Sequence, residues 1–494
     1  MTDPIQTFEG LKQAYLRYFD SPYDLRFDEL VDERRRILDR DGVLYREPLI
    51  EPQPPYIGSG FQDVAQAASN TLAGAAGWTP QLIDDFSTLA LNGLFIAQNR
   101  PPIEPYAHQV EMLRASVCRG EDTVILTGTG SGKTEAIYLP IIAALARESA
   151  SWPRLPAAGR NDWWAMPPPP GSGRSIHHPR ISQRDHEQGG RMPAVRALVL
   201  YPLNALAEDQ IARLRHALDG DPVRAWLASR RPGNKFWFGR YTGWTPISGR
   251  PDRNGAEAEL RDELRRLADI TAAVRNTPAA RFFPRLEGGE MWSRWDMQEA
   301  PPDVLITNYS MLNIMLMRDI EAPIFSMTRQ WLASDPAHIF HLVIDELHSY
   351  RGTPGTEIAY IIRVLLDRLG LDPDHRQLRI LASSASLGDD QVRAQNYLRE
   401  FFGRSTAFTL IRGAAPPLPP GVRNALAHLA PSFADLGAAF ASRDHAELNL
   451  SIGHFAEQAA VAVPDLQQTP ERRLGAVLSA VSVRIPMMPA GHSD

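Results

Sequence analysis

Thr127 to Glu135 reads TGTGSGKTE and follows the apolar run Val124-Ile125-Leu126. An apolar strand, a glycine-rich turn, a lysine with a hydroxyl, and then a helical run (Ala136, Ile137, Leu139) describe a loop that holds phosphate. Gly128, Gly130 and Gly132 let the backbone approach an anion and turn its N–H groups inward, with Thr127 before them and Thr129 and Ser131 between them. The helix that follows adds the positive end of its dipole. Lys133 then reaches the terminal phosphates, the Thr134 hydroxyl takes one position on a Mg2+ ion, and Glu135 closes the stretch. Of the 52 Lys plus Arg, only Lys12, Lys133 and Lys235 are lysine. A compact ammonium fits between phosphates where a planar guanidinium does not, so the lysine at 133 is a chemical choice.

Outward from that loop, the chain has 494 residues, a net charge of −6 and one cysteine, Cys118. Two to four domains and a large core are expected. The charge argues against a strongly basic nucleic-acid binder, but not against one that grips phosphates through backbone amides. One cysteine leaves no disulfide framework or zinc cluster in this stretch of chain. A reducing, cytoplasmic location is expected, with no membrane association and no signal-peptide core in MTDPIQTFEG.

Upstream, PYAHQVEMLRAS places Gln109 18 residues before Thr127. A carboxamide can accept from an adenine amino group and donate to a ring nitrogen, so Gln109 is the adenine candidate, and His108 is read as structural. Residues 1–100 read as a helical accessory region. Arg34 to Arg36 within it are taken as a solvated helix face.

Downstream, residues 148–194 carry tryptophans, four consecutive prolines and His177-His178 without sustained periodicity, the signature of an insertion. Trp163-Trp164 could stack on bases. Docking on the protein surface is the preferred reading, and the two histidines lack visible co-ligands. ALVLYPLNALAEDQ then predicts a buried strand opening into a helix. KFWFGRYTGW predicts another short strand, with Phe236, Trp237, Phe238 and Tyr241 as core. PPDVLITNYSML and QLRILASSASLG add two more. A helix over 255–275 presents Leu260, Leu264, Leu267, Ile270 and Val274 for packing. In HLVIDELHSYRG, a strand delivers Asp345 and Glu346 to its carboxyl end, the same edge as the phosphate loop if the strands are parallel. Asp345 would hold the magnesium ion, while Glu346 would orient and deprotonate the water that attacks the γ-phosphate.

The ordered series PYAHQ, TGTGSGKTE, YPLNALAEDQ, YTG, DVLITNYSML, VIDELH and SSASLG resembles the first RecA-like domain of a superfamily 2 DExH-box helicase over about residues 100 to 400. Thr127 in place of the usual first glycine is a helicase-like variant. RYTGWTPISG, TNYSMLNIMLMR and DELHSYRGTPGTEIAY are similar to stretches of large bacterial helicases with a C-terminal zinc module from phage-defence systems such as Druantia and DISARM. The resemblance implies an α/β fold: a RecA-like P-loop domain with a mostly parallel sheet flanked by helices, at 101–404, between helical accessory regions at 1–100 and 405–494. It implies Gln109 on adenine, Lys133 and Thr134 on phosphate and Mg2+, and Asp345 and Glu346 as magnesium holder and general base. Pro202, Asn204, Thr242, Gly243, Thr307 and Asn308 would lie along one strand of DNA or RNA, DNA being favoured. His348, Ser384 and Ser386 would couple nucleotide state to that strand, Ser386 replacing the commoner threonine.

Such motors need a second RecA-like domain whose arginine completes the ATP site. Residues 405–494 are too few for one, so it is expected in cis beyond this sequence or in trans. The expected function is the ATP-binding part of a helicase or translocase that turns over little ATP by itself. A nucleotide-gated nucleic-acid-binding or partner-recruiting module without turnover is the alternative.

Overall fold

The computed structural model describes residues 4–20, 25–40, 42–46, 56–95, 103–128, 130–156, 162–166, 179–202, 204–245, 255–275, 277–350, 352–385, 387, 390–414, 429–442, 444–461, 469–470 and 473–478. The chain divides into two compact units, Met1–Pro55 and Tyr56–Asp494. The first holds helices α1 (Pro4–Asp20) and α2 (Asp28–Leu38). Asp20 binds Arg34 at 2.7 Å and Arg35 at 2.6 Å, and Glu33 binds Arg36 at 2.7 Å. The arginine run is thus a solvated, carboxylate-paired face.

Among the described residues, the second unit is built on eight strands: β1 (Thr123–Leu126), β2 (Ala197–Tyr201), β3 (Phe238–Tyr241), β4 (Glu290–Met291), β5 (Val304–Asn308), β6 (Phe340–Ile344), β7 (Leu378–Ser384) and β8 (Thr409–Arg412). Their order is β4-β3-β5-β2-β6-β7-β1-β8, and every pairing is parallel. The sheet is therefore RecA-like α/β with all carboxyl ends on one edge. Parallel strands need crossover helices, which cover both faces and explain why these strands read as continuous apolar runs. Side chains still alternate: Val343 of β6 enters one core, Leu342 and Ile344 the other.

On the Val343 face lie α3 (Val64–Leu72), α4 (Pro80–Gly93), α5 (Ala107–Leu113), α6 (Lys133–Ser149), α7 (Asn204–Asp219) and α8 (Asp221–Arg230). Phe86, Leu89, Ile137, Ile141 and Ile211 pack there against Val199, Ile306 and Leu381. The helices at 64–93, grouped by sequence with an N-terminal accessory region, thus share a core with the sheet.

α9 (Ala256–Val274) and α10 (Arg294–Glu299) flank a smaller cluster in which Trp163 and Trp164 pack with Trp292, Trp295, Leu260 and Leu264. The tryptophan pair is packing, as preferred from sequence. Only the first half of the α9 stripe is buried, since Ile270 stays exposed. His177-His178 lie outside the described residues.

The second face carries α11 (Tyr309–Met317), α12 (Ala322–Ser334), α13 (Gly352–Leu369) and α14 (Gln391–Phe402), with Leu312, Trp331, Ile358 and Phe402 in its core. In the segment expected to be a helical tail, Thr409–Arg412 instead forms β8 against β1. Beyond it, α15 (Ala430–Ser442) and α16 (His445–Gln458) make a helical pair around Leu436, Ile452 and Phe455. No helix among the described residues is long and apolar enough to cross a membrane.

Candidate active site

β1 feeds the glycine loop and α6 leaves it, so residues 127, 128 and 130–132 sit at the carboxyl edge. Gly130 and Gly132 both have φ of +72°, in the left-handed region that glycine enters without a Cβ penalty. A Cβ at Gly132 would collide with Gln109. The loop is held from within and behind. The Thr127 and Ser131 hydroxyls lie 2.6 Å apart, and Ser131 Oγ donates to the Gly128 carbonyl at 2.9 Å. His108 Nε2 lies 2.8 Å from the Ser131 carbonyl, which accounts for that buried histidine as a structural brace.

Gln109 is a brace as well. Its Oε1 accepts from the Tyr106 amide at 2.8 Å and its Nε2 donates to the Gly132 carbonyl at 3.1 Å, capping α5 and tying it to the loop. Glu135 is paired with Arg213 of α7 at 3.0 Å. Thr134 lies in the first turn of α6, and Thr129 lies outside the described residues.

Only β7 separates β1 from β6, so the acidic pair arrives opposite the loop. Lys133 Nζ stands 3.4 Å from Glu346 Oε1. Asp345 Oδ1 accepts a hydrogen bond from Ser383 of β7. The Glu346 amide points at both Asp345 Oδ1 (3.0 Å) and Ser383 Oγ (3.2 Å). Burial pushes the Asp345 carboxyl up, with Glu346 adding to the effect, while Ser383 and Lys133 oppose it. Glu346 has φ 52° and ψ 46°, a left-handed backbone that costs a non-glycine residue about 1–2 kcal/mol. Such strain concentrates where a side chain must be aimed. His348 Nδ1 contacts Glu346 Oε2 at 3.2 Å and the Ala385 amide at 3.2 Å. Ser384 is buried at the end of β7, level with Leu126 of β1. Ser386 lies outside the described residues.

Among the described residues no group of three His, Cys, Asp or Glu forms a metal cluster. Asp345 is an oxygen donor of the kind a divalent cation takes while keeping water or phosphate as its other ligands.

Two participants escaped the sequence reading. Ser383 aligns the acidic pair, and Tyr56 reaches the phosphate loop. The Tyr56 hydroxyl accepts from the Gly128 amide at 3.0 Å, and its ring lies against Tyr106 and His108 at 5.7 and 5.2 Å. An aromatic 72 residues before the loop gives no local signal.

The six residues expected along nucleic acid all lie at the ends of β2, β3 and β5, where Tyr201 pairs with Asn308 and Tyr241 with Thr307. Asn308 Nδ2 donates to Asn204 Oδ1 at 2.7 Å, and Pro202 is half-buried beside them. The Thr242 and Thr307 side chains turn inward: Thr307 Oγ1 donates to the Tyr241 carbonyl at 2.7 Å, and Thr242 is buried. Asn308 Oδ1 also caps α11 by accepting from the Met311 amide at 2.8 Å, so this edge presents two half-buried asparagines and the exposed, unobstructed backbone of Gly243.

Residues 106–233 match a family model described as DEAD/DEAH box helicase. The Druantia protein DruE of Escherichia coli (strain UMEA 4076-1) is 31% identical over 465 residues, covering 84% of this chain and 22% of the relative. The chain thus spans about a fifth of that relative's length. Two solved structures are similar at low TM-score. The DUF1998 helicase MrfA bound to DNA has a TM-score of 0.37 and 18% identity, covering 78% of this chain and 39% of its own. MrfA bound to DNA and AMPPNP has a TM-score of 0.36 and 17% identity, covering 88% and 43%.

Proposed function

We propose that this chain, whose residues 106–233 match a DEAD/DEAH box helicase model, is the ATP-binding first lobe of an ATP-dependent DNA helicase or translocase of superfamily 2. The observation that supports this most directly is Lys133 Nζ at 3.4 Å from Glu346 Oε1. The residue suited to γ-phosphate and the residue suited to activating water meet across the edge of one sheet.

In this reading, backbone amides of the loop and Lys133 bind the phosphates. Asp345 and the Thr134 hydroxyl hold Mg2+, which supplies charge neutralisation on the phosphate oxygens when bound. As phosphate arrives, Lys133 exchanges its carboxylate partner for phosphate oxygen. Glu346, released but still aimed by its strained backbone, orients the attacking water and takes its proton. His348 and the Ser384–Ser386 segment pass the change to the edge at Asn204, Gly243 and Asn308, where the nucleic-acid strand lies. DNA is favoured over RNA on the resemblance of RYTGWTPISG and TNYSMLNIMLMR to defence helicases.

Every group in this scheme comes from one sheet edge, whereas such transition states are completed by an arginine from a facing domain. A second RecA-like domain, in cis or in trans, fills that role. The same one-sidedness favours a second reading, a nucleotide-gated nucleic-acid-binding module without turnover of its own.

ATP turnover by the 494-residue chain, with and without single-stranded DNA or RNA, tests the proposal, with Glu346→Gln as the blank. Nucleotide binding with little turnover is expected. Lys133→Ala should lose nucleotide affinity, and Glu346→Gln should retain it. Wild-type behaviour in both variants would show that the site is misassigned. Strong DNA-stimulated turnover would replace the half-motor reading with one in which the arginine comes from this chain or a second copy of it.

A further inference from the structure

All ten tryptophans of the chain lie among the described residues, and nine of them are 8% exposed or less. The tenth, Trp244, is 56% exposed. Its setting is a built turn. The Thr242 amide donates to Thr245 Oγ1 at 3.0 Å, Thr245 Oγ1 donates to the Arg240 carbonyl at 2.7 Å, and the Thr245 amide donates to the Thr242 carbonyl at 3.1 Å. Arg294 donates to that same carbonyl at 2.5 Å, and the Trp244 amide meets Thr242 Oγ1 at 3.3 Å. Thr242 and Thr245 are buried on either side, so the turn is anchored at both ends while its apex holds an indole in solvent. Small polar residues serve a solvent-facing turn at no hydrophobic cost. An indole there forfeits burial that every other tryptophan in this protein obtains.

The turn closes β3 at the carboxyl edge. The adjoining strand ends are those of β5, with Asn308, and β2, followed by Pro202 and Asn204. Side-chain amides and an open glycine backbone suit phosphate and sugar oxygens; they offer no flat apolar surface for a base. Trp244 supplies one.

We infer that Trp244 is a base-stacking platform, on which an unpaired nucleobase of the strand held by Asn204, Gly243 and Asn308 lies flat. This rests on the nucleic-acid reading proposed above and adds a specific contact to it. Because every base has a π face and no hydrogen-bonding group of the indole reads base edges, the contact is sequence-tolerant. It selects unpaired over paired bases, since stacking on the indole requires a free face.

The test is equilibrium binding of a fluorescein-labelled oligothymidylate to the whole 494-residue chain, followed by anisotropy, for wild type, Trp244→Ala, Trp244→Phe and Asn308→Ala. Trp244→Ala should weaken binding roughly 5- to 150-fold, the range for loss of one base–aromatic stack. Trp244→Phe should restore most of it, and oligodeoxyadenylate should behave as oligothymidylate does. A second readout needs no variant: iodide should quench the one exposed indole of the wild type, and saturating unlabelled oligonucleotide should protect it. Wild-type affinity in Trp244→Ala with weakened Asn308→Ala, or undiminished iodide quenching in the complex, would overturn the stacking role and leave the nucleic-acid edge intact. Absence of binding by wild type would overturn both.

Discussion

His348 Nδ1 lies 3.2 Å from Glu346 Oε2 and 3.2 Å from the backbone nitrogen of Ala385. The two contacts require opposite states of one atom. The Ala385 amide can donate only to an unprotonated Nδ1, whereas the carboxylate is satisfied only by an N–H at Nδ1. Glu346 and the end of β7 therefore compete for the imidazole. In the proposed turnover Glu346 would exchange Lys133 for water and gain a proton; its claim on His348 would then change sign, and the Ala385 segment would feel it. His348→Ala should keep nucleotide affinity and lose the dependence of turnover or nucleotide affinity on nucleic acid, a coupling usually worth about 5- to 150-fold. Titration of a fluorescent ATP analogue with and without single-stranded DNA checks this. Retained coupling in the variant would assign the link elsewhere.

In the proposed site, Tyr56 would compete with the nucleotide for the phosphate loop. Its hydroxyl occupies the Gly128 amide, one of the donors that a phosphate would use. Tyr56→Phe keeps the ring against Tyr106 and His108 and deletes only that acceptor. The freed amide should then tighten nucleotide binding by about 2- to 10-fold, the value of one net hydrogen bond. Weaker binding in the same titration would mean that the hydroxyl shapes the loop instead of obstructing it.

How much of this was legible beforehand depended on distance along the chain. β1, β2, β5, β6 and β7 are apolar runs that each end in a residue with chemistry, so their edge and the candidate site could be read directly. β8 and β4 could not: four residues, and then two, take extended structure from pairing with β1 and β3. The attachment of α3 and α4 was hidden because the partners of Phe86 and Leu89 lie on α6 and α7. Ser383 was visible only as part of a strand, and its bond to Asp345 required β6 and β7 to be neighbours. The exposure of Trp244 depends on a turn whose anchor, Arg294, is 52 residues away.

The amino edge of the sheet is held by buried charge. Asp303, just before β5, accepts from both Arg191 nitrogens at 2.6 and 2.8 Å and from the Trp237 amide at 2.8 Å, and pairs with Arg196 at 3.1 Å. Burial would raise its carboxyl, but Arg191 and Arg196 outweigh it and hold the group below the ordinary range. Arg196 also reaches Glu148 at 2.6 Å, so this lattice ties the 179–196 segment to α6 and the sheet. Asp303→Ala leaves buried guanidinium groups uncompensated and should cost about 3–5 kcal/mol, read from urea unfolding. Asp303→Asn should cost less because its Oδ1 still accepts from the Trp237 amide. A loss of under about 1 kcal/mol for the alanine variant would show that the lattice relaxes around the vacancy.

Asp219 has the opposite balance. It ends α7, accepts from the Gly289 amide at 3.1 Å, and has Arg224 no nearer than 3.8 Å, so burial pushes its carboxyl up to about 6. The folded state then binds the proton more tightly than the unfolded state. Stability from this group is greatest below the unfolded value near 3.8 and falls as pH rises through about 6. At pH 8 the buried anion costs up to about 3 kcal/mol. Asp219→Asn keeps an acceptor for Gly289 and removes the charge, so it should be more stable than wild type at pH 8. Linkage predicts that the gap narrows to roughly half near pH 5 and almost closes at pH 4. Urea unfolding of both proteins across that range checks the slope. A gap independent of pH would mean that the carboxylate is solvated or paired in the folded state and that burial does not govern it.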